Sequence, residues 1–450
     1  MAFRVWAPAR ADGTGHPQPT HFIPAMNSHF QMHALLAGAS LFAASLAVAA
    51  PSSQQLHEMA RQESPAVLET LRGLVEVESG SKDLQGLAQL AELIAGKLKA
   101  LGGEVSVIEP VDPYRMDDTP ERMGSMVKAQ FKGRGTKKVL FIAHMDTVYL
   151  KGMLKDQPFR VDGNKAYGLA VADDKQGVAT VLHAIALLKK AGIDDYGTLT
   201  VLINGDEEIS SPGSRTTIAR TAADQDMTLS FEAAGAEGGI RLATSGIGAA
   251  YLSVEGRTSH AGARPEAGIN ALTELAHQLL QMQDLSEADT GVKVNWTLAQ
   301  AGTNRNVIPA NATAMADVRA LRVADFDRVD KEMQRRVQHT RVPGAKVQLK
   351  FEVRRPPLEA TAASRALSKR AQAIYQEIGL PMKVAEVATG GGTDAAFAAL
   401  QARGPVIEGL GLTGFGAHSN DAEYVDIGTI APRLYLVARL VMDLSAGGAR

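Results

Sequence analysis

Three times in this chain a short apolar run stops on ionisable side chains. Lys138–Ala143 (KVLFIA) ends at His144-Met145-Asp146. Thr198–Ile203 (TLTVLI) ends at Asn204-Gly205 and then Asp206-Glu207-Glu208. Thr228–Phe231 ends at Glu232. Apolar runs this short and this rich in β-branched residues fit strands buried on both faces. Between the first two, Val178–Lys190 returns to helical period. Alternating buried strands and amphipathic helices predict an α/β sheet with helices on both faces. Such sheets keep their ligands at the carboxyl ends of the strands, where these charges stand.

The pattern changes near Gly246. Ala249–Glu255, Val292–Ala299, Ala312–Leu321 and Val347–Val353 alternate or read as strands. Ala267–Gln283 and Ala324–Gln338 read as helices. Strand, helix, strand, strand, helix, strand is the split β-α-β, ferredoxin-like order. Arg354-Arg355-Pro356-Pro357 then punctuates, and helix–strand alternation resumes. The expected layout is a leader over residues 1–50 and a first catalytic part over 51–244. An inserted α+β domain follows over 245–356, then a second catalytic part over 357–450. Gln85–Leu101 adds a helix stopped by Gly102-Gly103.

Ala34–Ala49 is apolar, short for a membrane span, and ends in Ala47-Val48-Ala49, a small-x-small cleavage pattern. It reads as a secretory signal peptide over about residues 26–50, cleaved near Ala49, with the start at Met26 or Met32. A secreted or periplasmic protein with no membrane span after cleavage is expected. The 450 residues carry 47 Lys+Arg against 49 Asp+Glu, too balanced for a nucleic-acid partner. Cysteine is absent. That excludes thiolate zinc sites, iron–sulfur clusters and a Cys nucleophile. Any metal must be held by His, Asp and Glu.

Five places offer such ligands. His144 and Asp146, two apart on an extended chain, point the same way, so Asp146 can accept from the second nitrogen of a metal-bound imidazole. A solvated loop is the bland alternative. Asp173, in Ala172-Asp173-Asp174-Lys175, can offer one oxygen to each of two cations, or cap the helix that begins near Gly177. Three adjacent acids at 206–208 repel unless a cation lies among them; one Glu can ligate and its neighbour act as base, with a solvated acidic turn as the bland alternative. Glu232 and His418, the latter in Gly414–Ser419, complete an all-His/carboxylate set suited to two-metal hydrolysis.

These segments resemble, in the same order, the signature segments of the dizinc metallopeptidase family. That family includes acetylornithine deacetylase and succinyl-diaminopimelate desuccinylase. His144–Gly152, Gly390–Ala396 and Glu423-Tyr424-Val425-Asp426 are most similar to its glutamate carboxypeptidase branch. The resemblance covers about residue 60 onward. It implies a mixed central sheet flanked by helices and interrupted by an inserted lid and dimerisation domain. It implies two Zn2+ per subunit, bridged by Asp173 and a water or hydroxide. His144 and Glu232 would complete one site, Glu208 and His418 the other. Glu207 would be general base and acid, and Asp146 would orient His144. The Asp173–Asp174 peptide bond would be cis.

In the inserted region, Ser259-His260-Ala261-Gly262 resembles the motif whose histidine reaches the partner subunit's active site, implying a homodimer through residues 245–356. Asn306 and Arg319 resemble residues that hold the substrate's free carboxylate, and a guanidinium suits that geometry. The implied activity is release of a C-terminal amino acid from N-acyl or folate-type conjugates, with glutamate the amino acid that the branch suggests. A deacylase or dipeptidase of the same family with another amino-acid specificity is the alternative. Arg241, Arg354 and Arg355 are the basic candidates for a γ-carboxylate. Gln176 stands where the family usually has Gly, and Leu169 where Pro or Arg is common. Ala233–Gly239 diverges from the branch. G-x-S-x-G, H-E-x-x-H and a phosphate-binding P-loop motif are all absent.

Overall fold

In the computed structural model, residues 51–447 are described, apart from 236, 389, 420 and 421. The expected signal peptide lies outside the described residues. A six-stranded sheet runs in the order Glu104–Ile108, Met126–Lys132, Thr198–Asn204, Lys138–His144, Met227–Ser230, Val406–Ile407. The first three are joined by antiparallel pairing and the last four by parallel pairing, so the sheet is mixed. Successive side chains of a strand face opposite ways. Val139, Phe141 and Ala143 therefore enter one core, with the helices Ser53–Val75, Gln176–Lys190 and Ile430–Ser445. Leu140 and Ile142 enter a second core, with Ile218, Ala222 and Ala395–Ala398. Both faces are covered, which is why the run is apolar throughout.

The helix Ser53–Val75 is the largest element the sequence reading lacked. Pro65 lies inside it, and Ser52 and Gln55 close a capping box at its start. The helix after Asp173-Asp174 begins at Gln176, one residue before expectation.

Residues 246–355 form a separate four-stranded antiparallel sheet, ordered Lys293–Ala301, Asn311–Ala320, Gly246–Glu255, Lys346–Arg355. The helices Ala271–Leu280 and Val323–Arg336 share its core. Along Asn311–Ala320 the residues Ala312, Ala314, Ala316, Val318 and Ala320 are buried, while Asn311, Thr313 and Met315 are exposed. The expected helix over 267–283 shortens to Ala271–Leu280, because Pro265–Ala267 forms a 3-10 turn and Asn270 caps the helix through the Thr273 N–H.

A small sheet of Gly414–Phe415, Tyr424–Asp426, Lys165–Tyr167 and Arg160–Asp162 was not anticipated; its strands are too short to show a period. It holds the loop carrying His418 beside the turn carrying Asp173. Among the described residues, no helix is long and apolar enough to cross a membrane.

Candidate metal centre

His144 is the last residue of its strand, and Asp206-Glu207-Glu208 follow the neighbouring parallel strand directly. Asp173 precedes the helix that crosses between them. Parallel pairing thus delivers all these groups to one sheet edge. His144 Nε2 lies 3.0 Å from Asp173 Oδ1 and 3.3 Å from Glu232 Oε1. His418 Nε2 lies 3.3 Å from Asp173 Oδ2 and 3.2 Å from Glu208 Oε2. Two three-residue groups result, His144–Asp173–Glu232 and Asp173–Glu208–His418, each with ligand atoms within 4.8 Å of one another. Asp173 is common to both and turns a different oxygen to each. The Asp173–Asp174 bond is cis.

The donor set fits a pair of divalent cations. Every ligand atom is a carboxylate oxygen or an imidazole nitrogen. Glu208 Oε1 is buried without a hydrogen-bond partner. The electrostatics agree. Hydrogen bonds to Asp173 and Glu208 push the His418 imidazole up to about 11. Burial favours the neutral form of Asp173, yet His144 and His418 hold it below the carboxylate range. Burial, and then the Asp173 charge, pushes Glu208 up to about 7. A field that strengthens imidazole protonation this far attracts cations generally.

Of the three adjacent acids, Asp206 turns away. It accepts from the Gly213 N–H at 2.6 Å and from the Ser214 N–H at 3.2 Å, and burial lifts it to about 6. Glu207 faces the cavity. Burial raises its carboxyl well above the usual range, against the pull of the Arg355 guanidinium 2.6 Å from Oε1. Asp146 does more than face His144, whose Nδ1 is 3.4 Å from Asp146 Oδ1 and 3.1 Å from its carbonyl oxygen. The carboxylate also accepts from the Glu207 N–H (3.0 Å), the Glu208 N–H (3.1 Å) and the Ser81 hydroxyl (2.8 Å). It therefore fixes the backbone of both glutamates. Gln176 fills its site with bonds: Nε2 donates to Asp174 Oδ1 at 2.7 Å and to the Phe231 carbonyl at 3.0 Å.

A cavity of about 590 Å³ opens here, lined by Asp173, Glu207, Glu208, Glu232, His418 and three arginines, Arg241, Arg319 and Arg355. Arg319 reaches it from the second sheet, with both Asp317 oxygens at 2.9 Å and the Gly390 carbonyl at 3.1 Å. Arg355 is buried between Glu207 and Asp394. Arg241 donates to the Ala233 carbonyl at 2.9 Å, with the buried Glu408 3.7 Å away. Arg354 does not line the cavity; it pairs with Asp118 at 2.7 Å and Glu352 at 3.1 Å. His260 and Asn306 also lie away from these walls. They neighbour each other on the Ser259–His260/Val307–Ile308 pair, where the Ala261 N–H donates to the Asn306 carbonyl at 2.9 Å.

Sequence reasoning missed Ser81, Tyr149 and the inward turn of Arg355. Tyr149 and Asp394 stood in quoted motifs, His144–Gly152 and Gly390–Ala396, but the pairing of Asp394 with Arg355 has no local signature.

Residues 140–443 match the model of peptidase family M20/M25/M40. Carboxypeptidase G2 of Pseudomonas sp. (strain RS-16) is 45% identical over 410 residues, covering 91% of this chain and 96% of that relative. Succinyl-diaminopimelate desuccinylase of Methylobacterium radiotolerans is 28% identical over 305 residues, covering 64% and 76%. Among solved structures, aminopeptidase PepT from Bacillus cereus superposes with a TM-score of 0.70 at 22% identity, covering 85% of this chain and 99% of that one. A dinuclear metal-binding peptidase of Bacillus subtilis gives 0.61 at 17% identity, covering 86% and 99%. The strand-end cluster, the family match and the long alignment agree: this chain belongs to peptidase family M20/M25/M40 and is a metallo-exopeptidase hydrolase.

Proposed function

We propose that the protein is a zinc-dependent carboxypeptidase that releases a C-terminal glutamate from N-acyl or folate-type conjugates. The observation that carries this reading is the shared Asp173, one oxygen in each of two ligand groups, at the floor of a cavity walled by arginines. The 45% identity to carboxypeptidase G2 supports the choice of substrate.

His144, Asp173 and Glu232 would hold one Zn2+, and Asp173, Glu208 and His418 the other. When bound, such a pair supplies Lewis acidity that polarises the scissile carbonyl and acidifies water. The remaining work falls to the chain. Glu207, whose carboxyl burial raises well above its usual range, takes a proton from the attacking water and returns it to the leaving amine. Asp146 keeps Glu207 and Glu208 in place through their backbone N–H groups. Arg319 receives the α-carboxylate, since its plane is already fixed by Asp317. Of the three arginines lining the cavity, Arg241 has the fewest partners among the described residues, which suits it to a γ-carboxylate. His260 and Asn306 would act in the partner subunit's site of a homodimer formed through residues 245–356, His260 steadying the oxyanion. Export follows from the run Ala34–Ala49, and N-terminal sequencing of the mature protein should begin near Ala50.

The test is hydrolysis by zinc-loaded protein of folate against a panel of acetyl-amino acids, read by product mass. Free glutamate from folate and acetylglutamate, above all other amino acids, is the expected result. A preference for a neutral amino acid would replace this reading with the deacylase or dipeptidase one. Glu207→Ala should lower kcat by roughly 10²–10⁴-fold while zinc content stays near normal.

A further inference from the structure

We propose that Glu423 is a positioning residue, a buried carboxylate that locks three ligand-bearing segments into the spacing two cations need. The proposal rests on the metallopeptidase reading above and adds a residue outside the ligand sets. Glu423 is fully buried. Its Oε1 accepts from the Ala172 N–H at 2.8 Å and the Asp173 N–H at 3.1 Å. Its Oε2 accepts from the Ala170 N–H at 3.1 Å and from the Tyr149 hydroxyl.

Each donor belongs to a segment that delivers a ligand. Tyr149 follows His144 by five residues along the same strand exit. Ala170, Ala172 and Asp173 form the turn that presents the shared Asp173. Glu423 itself follows His418 by five residues and leads into the strand Tyr424–Asp426. The Ser419 carbonyl lies 3.1 Å from the Tyr149 oxygen, a second acceptor within reach of the one phenol proton that Glu423 takes. Ala170 has a φ of 58°, a left-handed conformation uncommon for a residue with a Cβ. Its N–H bond to Glu423 anchors that turn.

Only an acceptor on both oxygens satisfies this arrangement. Three amide N–H groups and a phenol converge on one carboxyl group, and bonds to an ionised acceptor are the strong ones. Glutamine would set its own N–H2 against at least one of these donors. The turn would shift, and the two Asp173 oxygens would lose their simultaneous aim at both groups.

The experiment is chelator competition for Zn2+ on the full chain, with far-UV circular dichroism and melting of the metal-stripped protein in parallel. Glu423→Gln should retain wild-type dichroism, melt cooperatively at a lower temperature than wild type, and bind Zn2+ about 10–100-fold more weakly. Tyr149→Phe, which removes a single donor, should show a smaller loss in the same direction. Folded Glu423→Gln with wild-type affinity overturns the proposal. If that variant does not fold, unchanged affinity in Tyr149→Phe overturns it. Affinity is read without substrate, so a wrong amino-acid assignment leaves this test intact. Failure of the wild-type chain to take up Zn2+ would instead sink the earlier reading.

Discussion

Arg241 and Arg355 look alike in the sequence, yet their surroundings give them different work. Arg355 is buried with Glu207 at 2.6 Å and Asp394 at 3.2 Å, so its charge is already matched. Removing it leaves two buried acids facing each other, which is strongly destabilising. Arg241 keeps donors toward the cavity. Arg241→Met should therefore raise KM for glutamate conjugates by roughly 10–200-fold, the scale of one lost charge-assisted bond at 1.5–3 kcal/mol. Conjugates of neutral amino acids should change little, and steady-state kinetics on both substrates reads the difference. An equal loss on both would show that Arg241 serves the wall and not specificity. The ligand types were legible one by one in the sequence, because His144, Glu208 and Glu232 follow buried runs while Asp173 and His418 stand in short motifs. Their partners were not: Ser81 lies 65 residues from Asp146 in the chain and bonds it only after folding.

Helix packing has its own testable joint. His183, on the helix Gln176–Lys190, has Nδ1 2.8 Å from Glu63 and Nε2 2.8 Å from Thr70, both on the helix Ser53–Val75. Burial lowers its pKa below the ordinary value, overriding the pull of Glu63. The folded state thus favours the neutral imidazole, while the unfolded chain takes up a proton at about 6.5. Its contribution is complete above that pH and declines as pH falls through about 6.5 toward the folded pKa. Melting temperatures from pH 8 to 5 should fall more steeply in wild type than in His183→Asn. Parallel curves would remove His183 from the acid response. In the second sheet, Phe326 is buried against Phe351 and over Gly246 and Gly248, where an added Cβ would sit 2.6 Å and 3.0 Å from its ring. Phe326→Ala should cost about 3–5 kcal/mol in denaturant unfolding. The alternating pattern made these strands legible. The glycine-for-ring fit was not, because it joins a strand to a helix some 75 residues later.

For the whole molecule, the cluster of Asp173, Glu207, Glu208 and Glu232 concentrates negative charge at one edge of the sheet. Binding of cations there should raise stability by about 4 kcal/mol when the free ion exceeds its Kd 1,000-fold. Stripping with chelator should lower the melting temperature and abolish hydrolysis, and added Zn2+ should restore both. Unchanged activity in metal-free protein, verified by elemental analysis, would refute the metal dependence. Sedimentation of the full chain tests the proposed dimer: a monomer with full activity would remove His260 and Asn306 from the site.

The sequence by itself determined the sheet class, the alternation of its buried strands with helices and the kinds of ligand available. Those properties are local: a buried strand needs an apolar run, a metal without thiolates needs imidazole and carboxylate, and both are written residue by residue. Only the tertiary structure decided which of three adjacent acids turns away from the cavity and which of its arginines is least paired. It also decided that one buried glutamate ties the turn of Asp173 to the loop of His418. These outcomes depend on hydrogen-bond partners and burial fixed only on folding, some from nearby turns such as Gly213-Ser214 and some, like Glu423 on Ala172, from 251 residues away, and no pattern along the chain encodes which contact forms.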